Sequence, residues 1–245
     1  MNTANRTFES GNILAIILIA VVLLGLLTAA IQSTSRPEGS NIDKETLIIR
    51  ASEVQRYASE LERAVNYIMD SGQSESDIRF SHPDAHTDYG DLTADTDQSD
   101  QAFSVDGGGA NYRAAPNNIN DGSSWEFYGG TQIPSMGTGR AELVAVLPNV
   151  TPAFCAKINE LNGQPVAPSD TGASTASASD PGDCVALGAA GRFNDSVQFY
   201  ASPNTMDETS FAQDANTSAA SPAPQGCVQC DVGSAYHFYH VLLTR

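Results

Sequence analysis

Residues 41–72 read NIDKETLIIRASEVQRYASELERAVNYIMDSG. Leu47, Ala51, Val54, Ala58, Leu61, Val65 and Ile68 recur at alternating spacings of four and three, which makes one apolar stripe on a helix. Glu53, Glu60, Glu62 and Arg63 fall off the stripe. Ser40 or Asn41 can cap the helix start, and Asp43 and Glu45 suit its first turn. Gly72 suits the position just past its end. Three heptads are short for a coiled coil, so the spacing predicts a helix packed on its own domain.

Upstream lies a different helix signal. Residues 13–31 hold no charged side chain, and Thr28 carries their only hydroxyl. As a helix this run spans roughly 28 Å, close to the thickness of a bilayer core. It is longer than the about 7–15 apolar residues of a signal peptide, although Thr28-Ala29-Ala30 would suit a signal peptidase. Between the two helix signals, residues 32–41, QSTSRPEGSN, contain Pro37 and Gly39 and read as a break. Arg6 on one side against Arg36 and Lys44 on the other does not orient the run.

Composition limits what the remainder can do. The net charge is −17, and the only lysines are Lys44 and Lys157. Such a surface repels nucleic acid and anionic membrane, so neither is an expected partner of the body. The four cysteines, Cys155, Cys184, Cys227 and Cys230, point to disulfides in an oxidising compartment and so to an extracytoplasmic body. Three pairings exist. Proximity in sequence favours Cys155–Cys184 with Cys227–Cys230.

After Gly72 the chain turns polar and irregular, with short extended pieces expected at 78–80 and 103–105. Residues 124–128 alternate Trp125 and Phe127 on one face and read as a strand. Residues 140–147, RAELVAVL, read as a buried strand that Pro148 stops. Thr151-Pro152 opens a helix that runs to Gly163, with Phe154, Cys155, Ile158 and Leu161 on its apolar side. Residues 164–183 and 201–226 are low in complexity and read as loops. Between them, 192–200 reads as a strand with Phe193, Val197 and Phe199 in the core. The C-terminal AYHFYHVLLTR is apolar on both faces, as in a central strand. Strand and helix do not alternate, so the expected class is α+β with an antiparallel sheet.

Several motifs resemble reactive sites. Cys227-x2-Cys230 and His237-x2-His240 imitate a zinc pattern, but residues three apart in a strand face opposite ways. His82 and His86 flank Pro83, which disfavours a shared helical face and leaves a polar loop. Asp95, Asp97 and Asp106 are placed like calcium ligands, yet the sixth position is Asp100 where such a loop needs glycine. The expectation is a solvated acidic loop and no cofactor, with these three as the ligands if calcium binds at all. Gly107-Gly108-Gly109 lacks the Lys-Ser/Thr end of a phosphate loop and reads as a tight turn or bulge. No nucleophile–base pair is evident, so an enzyme is not expected.

A membrane-length apolar run, a break, an amphipathic helix and a cysteine-bearing β-rich body resemble, in that order, the type IV pilin-like proteins and pseudopilins. The resemblance covers the first 70 or so residues. It implies a short leader at 1–11, a stem helix at 12–35, an amphipathic helix at 36–72 and an extracytoplasmic head at 73–245. The two helices would form one long stem packed on an antiparallel β-sheet. Ile13, Ile17, Val21, Leu24 and Thr28 would anchor the chain in the membrane and then pack against copies of itself in a filament, with an inner-membrane assembly machinery as partner. Glu9 would neutralise a neighbour's terminal amine. The processing signature departs from the family's, since Thr7 precedes Phe8 and Asn12 follows Gly11. The resemblance thus implies a filament subunit. The alternative is a single-pass membrane-anchored envelope protein whose acidic head binds a ligand or partner without polymerising.

Overall fold

The computed structural model describes residues 17–23, 38–133, 136–138, 140–164, 191–194, 204–205, 224–229 and 235–245. The chain divides into two units, Met1–Thr46 and Leu47–Arg245.

In the first unit the described residues, 17–23 and 38–46, are helical. Helix α1 covers Glu38–Asp70. It begins before Ser40 and Asn41 and runs through both, so neither is the cap that the sequence suggests. Among the described residues no helix is long and apolar enough to cross a membrane. This corrects the expectation of a pilin-like long N-terminal helix with a membrane-spanning half. What is described is a seven-residue helical stretch and an amphipathic helix, and α1 carries charged side chains along its whole length. Glu9, Ile13, Leu24 and Thr28 lie outside the described residues, as does most of the expected break.

In the second unit the stripe on α1 is the buried face. Ala51, Val54, Ala58, Leu61, Val65 and Ile68 are buried, with Leu47 packed against the same core. Tyr57 and Ala64 widen the stripe beyond the spacing read from sequence. That width suits packing on a domain better than a two-stranded coil. The helix ends as expected: Gly72 takes φ +98, Gly72 N–H donates to Met69 O and Gln73 N–H to Ile68 O. A side chain other than glycine is strained at such a φ.

The sheet has five strands in the order β3-β1-β2-β5-β4. They are β1 Glu126–Gln132, β2 Glu142–Val150, β3 Asn204–Thr205, β4 Gln225–Gln229 and β5 Tyr236–Leu243. Four are antiparallel, but β3 pairs parallel to β1, so the sheet is mixed and not wholly antiparallel as expected. Both β3 and the start of β4 fall within 201–226, which the sequence offered as loop. β1 continues past Tyr128 through Gly129-Gly130 by a register shift, the signature of a bulge. β2 likewise continues past Pro148, where the pairing with β5 shifts and Asn149 takes φ 54. Proline is tolerated there because a bulged ladder already lacks the bond its nitrogen cannot make.

Helix α2, Pro152–Asn162, has the expected ends: Thr151 accepts from Phe154 N–H and Gly163 is left-handed. Its apolar side differs in one place. Leu161 is 45% exposed, and Asn159 is buried instead. Asn159 Oδ1 accepts from Cys227 N–H (2.8 Å) and its Nδ2 donates to Cys227 O (2.9 Å), which satisfies the open side of the edge strand β4.

One sheet face, carrying Phe127, Leu143, Ala145, Leu147, Cys227 and Phe238, joins α1 and α2 in the core. The chain between α1 and β1 packs there through aromatic rings. Phe80 stacks on Phe127 with centroids 3.9 Å apart, and Tyr57 meets Trp125 edge-on at 5.3 Å. The expected piece at 78–80 reduces to a single bridge, Arg79 with Gln101, and the one expected at 103–105 is instead turn and bend. Tyr128, Val144, Val146, Val228, Tyr239 and Val241 are buried as well, outside that cluster. Burial of both faces explains why β2 and β5 read as continuous apolar runs.

Candidate functional site

Cys155 is bonded to Cys227, not to Cys184, and this joins α2 to β4. The pairing by proximity in sequence is therefore overturned. It failed because the chain between Cys155 and Cys227 returns to lay β4 beside β5, which places residues 72 apart at a Cα–Cα distance of 5.2 Å. Cys184 and Cys230 lie outside the described residues.

Of the anchor residues, Ile17 and Val21 are described, and both are more than half exposed. Leu18, Ile19, Val22 and Leu23 beside them are exposed to a similar degree.

Asp95 and Asp97 serve turns. Asp95 accepts from Asp97 N–H and from Gln101 Nε2, and Asp97 accepts from Ser99 N–H. Asp106 donates its own N–H to Ser104 Oγ. Among the described residues no three His, Cys, Asp or Glu side chains converge as a metal ion needs. Gly107 and Gly108 mark a close approach: a Cβ on Gly108 would stand 2.8 Å from Ala64 Cβ on α1, and one on Gly107 2.3 Å from Gln101 O. His82 and His86 cap turns, each accepting from a backbone N–H two residues on.

Strand periodicity separates His237 from His240, as the spacing predicted. His237 Nδ1 accepts from Asn149 N–H (3.3 Å), and burial holds its pKa down to about 4. His240 faces α1 instead, with Nε2 2.9 Å from Glu62 Oε2 and Nδ1 3.2 Å from Gln225 Oε1. Gln225 Nε2 and Gln55 Nε2 both donate to Asn162 Oδ1, at 3.1 and 3.0 Å. One polar seam thus ties α1, α2, β4 and β5. A cleft of about 230 Å³ opens beside it, lined by Glu62, Asn66, Met136, Pro224 and the end of β5.

A second ionic group lies across β1. Arg192 grips Glu126 with two bonds, Nε to Oε2 (2.7 Å) and Nη2 to Oε1 (2.9 Å), and reaches Asp88 with Nη1 (2.8 Å). Tyr89 donates to Glu126 Oε2 (2.7 Å), and its oxygen accepts from Phe127 N–H (2.8 Å). Hydrogen bonding to Glu126 raises the Arg192 pKa further, and burial raises that of Tyr89. Every member here has a partner, so the group holds residues 191–194 on the sheet.

Glu142 is less well provided for. It is wholly buried beside Thr131 on β1; Oε2 accepts from Ile133 N–H (2.8 Å), but Oε1 and Thr131 Oγ1 have no hydrogen-bond partner. Burial pushes its pKa from 4.5 up to about 7. Between those two values the folded chain holds a proton that the unfolded chain has released. Stability therefore falls as pH rises from about 4.5 to about 7, by on the order of 3 kcal/mol. Glu142→Gln, which cannot ionise, is expected to raise the thermal midpoint at pH values above that window and to flatten the decline within it. Thermal unfolding followed across the window by circular dichroism reads both effects.

A larger cleft, about 330 Å³, lies between α1 and the chain before β1 and is lined by Glu53, Arg56, Tyr57, Arg113, Pro116 and Trp125. Glu60 pairs with Arg113 (2.8 Å), and Glu53 lines the same cleft as Arg56, so the charges of the two guanidinium groups are balanced by carboxylates nearby. The cleft has no net preference for an anion.

Of the residues in the polar seam and the ionic group, only His237 and His240 stood out in the sequence, and for zinc; Cys155 and Cys227 stood out as disulfide cysteines, but in other pairs. Glu62, Glu126, Glu142 and Arg192 carry no local signal, since their partners come from distant segments. No protein-family model, curated protein or solved structure matches the chain. Among the described residues the polar groups named here, His237, His240, Glu62, Glu126 and Arg192, bond to side chains or backbone of other segments.

Proposed function

We propose that this chain is a structural subunit of a pilus-like or secretion pseudopilus-like filament, held in a membrane and assembled through its apolar run at residues 13–31. The observation that carries the reading is the helical stretch 17–23, in which Ile17, Leu18, Ile19, Val21, Val22 and Leu23 are each more than half exposed. A contiguous apolar surface of this kind is covered by lipid or by another chain. The head supports the reading in a secondary way. Its described polar groups bond within the head, which leaves assembly to the apolar run.

The test is to replace residues 13–31 with an unrelated apolar sequence of equal length in the native source. A filament core packs side chain to side chain and does not tolerate the change, whereas lipid does. The expected result is a chain still found with membranes but with filaments largely lost by immuno-electron microscopy. Unchanged filaments, or no filaments from the parent chain, would sink this reading in favour of an anchored head that does not polymerise.

A further inference from the structure

We propose that His240, Gln225, Asn162 and Gln55 form a proton-responsive relay, in which proton uptake by the imidazole reverses three side-chain amides in concert. Gln225 Nε2 donates to Asn162 Oδ1 (3.1 Å), which leaves Gln225 Oε1 facing His240 Nδ1 at 3.2 Å. The other ring nitrogen faces Glu62 Oε2 at 2.9 Å. Both nitrogens thus face acceptors, and only the imidazolium can donate to both. In the same arrangement Asn162 Oδ1 takes two N–H groups, from Gln225 and Gln55, while Asn162 Nδ2 is buried with no hydrogen-bond partner.

Turning the three amides over reverses each of these bonds without moving the backbone. Asn162 Nδ2 then donates one hydrogen to Gln225 Oε1 and the other to Gln55 Oε1. Gln225 Nε2 donates to Nδ1 of a neutral imidazole, whose Nε2–H still reaches Glu62. The buried donor gains two acceptors, and Asn162 Oδ1 takes the unpartnered position, which costs less for a carbonyl than for an N–H. Each protonation state of the ring therefore selects one orientation of all three amides.

The surroundings set the direction of the switch. His240 is 5% exposed, and burial lowers its pKa while Glu62 opposes that. Glu62 is the facing titratable group from α1, whereas the side chains facing the seam from β4 and α2, Gln225 and Asn162, are uncharged. The neutral ring and the turned amides are the state at neutral pH. Acid then converts the bond between His240 and Glu62 into an ion pair and carries the change through β4 and α2 back to Gln55 on α1.

Side-chain nitrogen NMR on the full chain, titrated from about pH 8 to about pH 4, tests this. The amide resonances of Gln225, Asn162 and Gln55 are expected to shift with the midpoint of the His240 ring nitrogens. In Asn162→Ala, Gln55 should lose its response while Gln225 keeps it. In Glu62→Gln the midpoint should fall, with the amides still following. Amides that stay constant while His240 titrates would overturn the relay. So would a Gln55 that still follows in Asn162→Ala, or a ring that stays neutral down to acid unfolding.

Discussion

Cys155→Ala combined with Cys227→Ala is expected to lower the unfolding free energy by about 4 kcal/mol. The bond closes a loop between residues 72 apart, and long closures restrict the unfolded chain most. Its place in the fold adds a local effect. Among the described residues β4 is an edge strand paired with β5, and α2 covers it through the disulfide and through Asn159. Without the bond, β4 keeps the Asn159 clasp and its ladder to β5, so the fold should persist while this edge opens first. Both cysteines are buried, at 0% and 3% exposure, so the alanines leave only small voids. Urea unfolding followed by the fluorescence of Trp125, the chain's one tryptophan, gives the global change. Hydrogen exchange at Cys227 and Val228 gives the local one. A loss under about 1 kcal/mol would mean that the bond restrains neither the unfolded chain nor the edge.

How much of this was legible in the sequence depended on whether the signal was local. The stripe on α1 was, because periodicity of burial is a property of the helix alone; six of its seven apolar positions are buried and the seventh, Leu47, packs on the core. The ends of α2 were legible for the same reason, since Thr151, Pro152 and Gly163 act within one turn. Strand ends were not. Gly129-Gly130 and Pro148 look like stops, but each sits where the ladder is already irregular, and only the partner strand reveals that. Asn159 does not read as a core residue because its partner, the Cys227 backbone, is 68 residues away. The disulfide failed in the same manner. Proximity in sequence is a poor guide where strand order is non-consecutive, and here β5 lies between β2 and β4. The N-terminal architecture rests on resemblance, and the described helices do not reproduce it.

Arg192→Leu is expected to cost about 3 kcal/mol, the lower end of what removing one partner of a buried ion pair costs. The guanidinium and the Glu126 side chain are only 12% and 11% exposed. Leucine fills much of the space but leaves the carboxylate with Tyr89 as its remaining side-chain donor, and it frees Asp88 on the surface. The penalty therefore comes from the buried charge left behind rather than from poorer packing. This distinction can be measured. Glu126→Leu should also destabilise, because among the described carboxylates Arg192 then keeps Asp88, whose side chain is 38% exposed. The double substitution should recover a good part of the loss, since neither buried charge remains. Additive losses would instead show that the pair is solvated and that each residue acts by itself. The same variants report on position. Phe193 N–H donates to Phe127 O (2.7 Å), and Arg192 bridges Tyr128, so residues 191–194 are held on β1 by backbone as well as by charge. If charge is the stronger hold, Arg192→Leu should speed exchange of the Phe193 amide beyond what global destabilisation explains, and Glu126→Leu should do so less because Asp88 still grips the arginine.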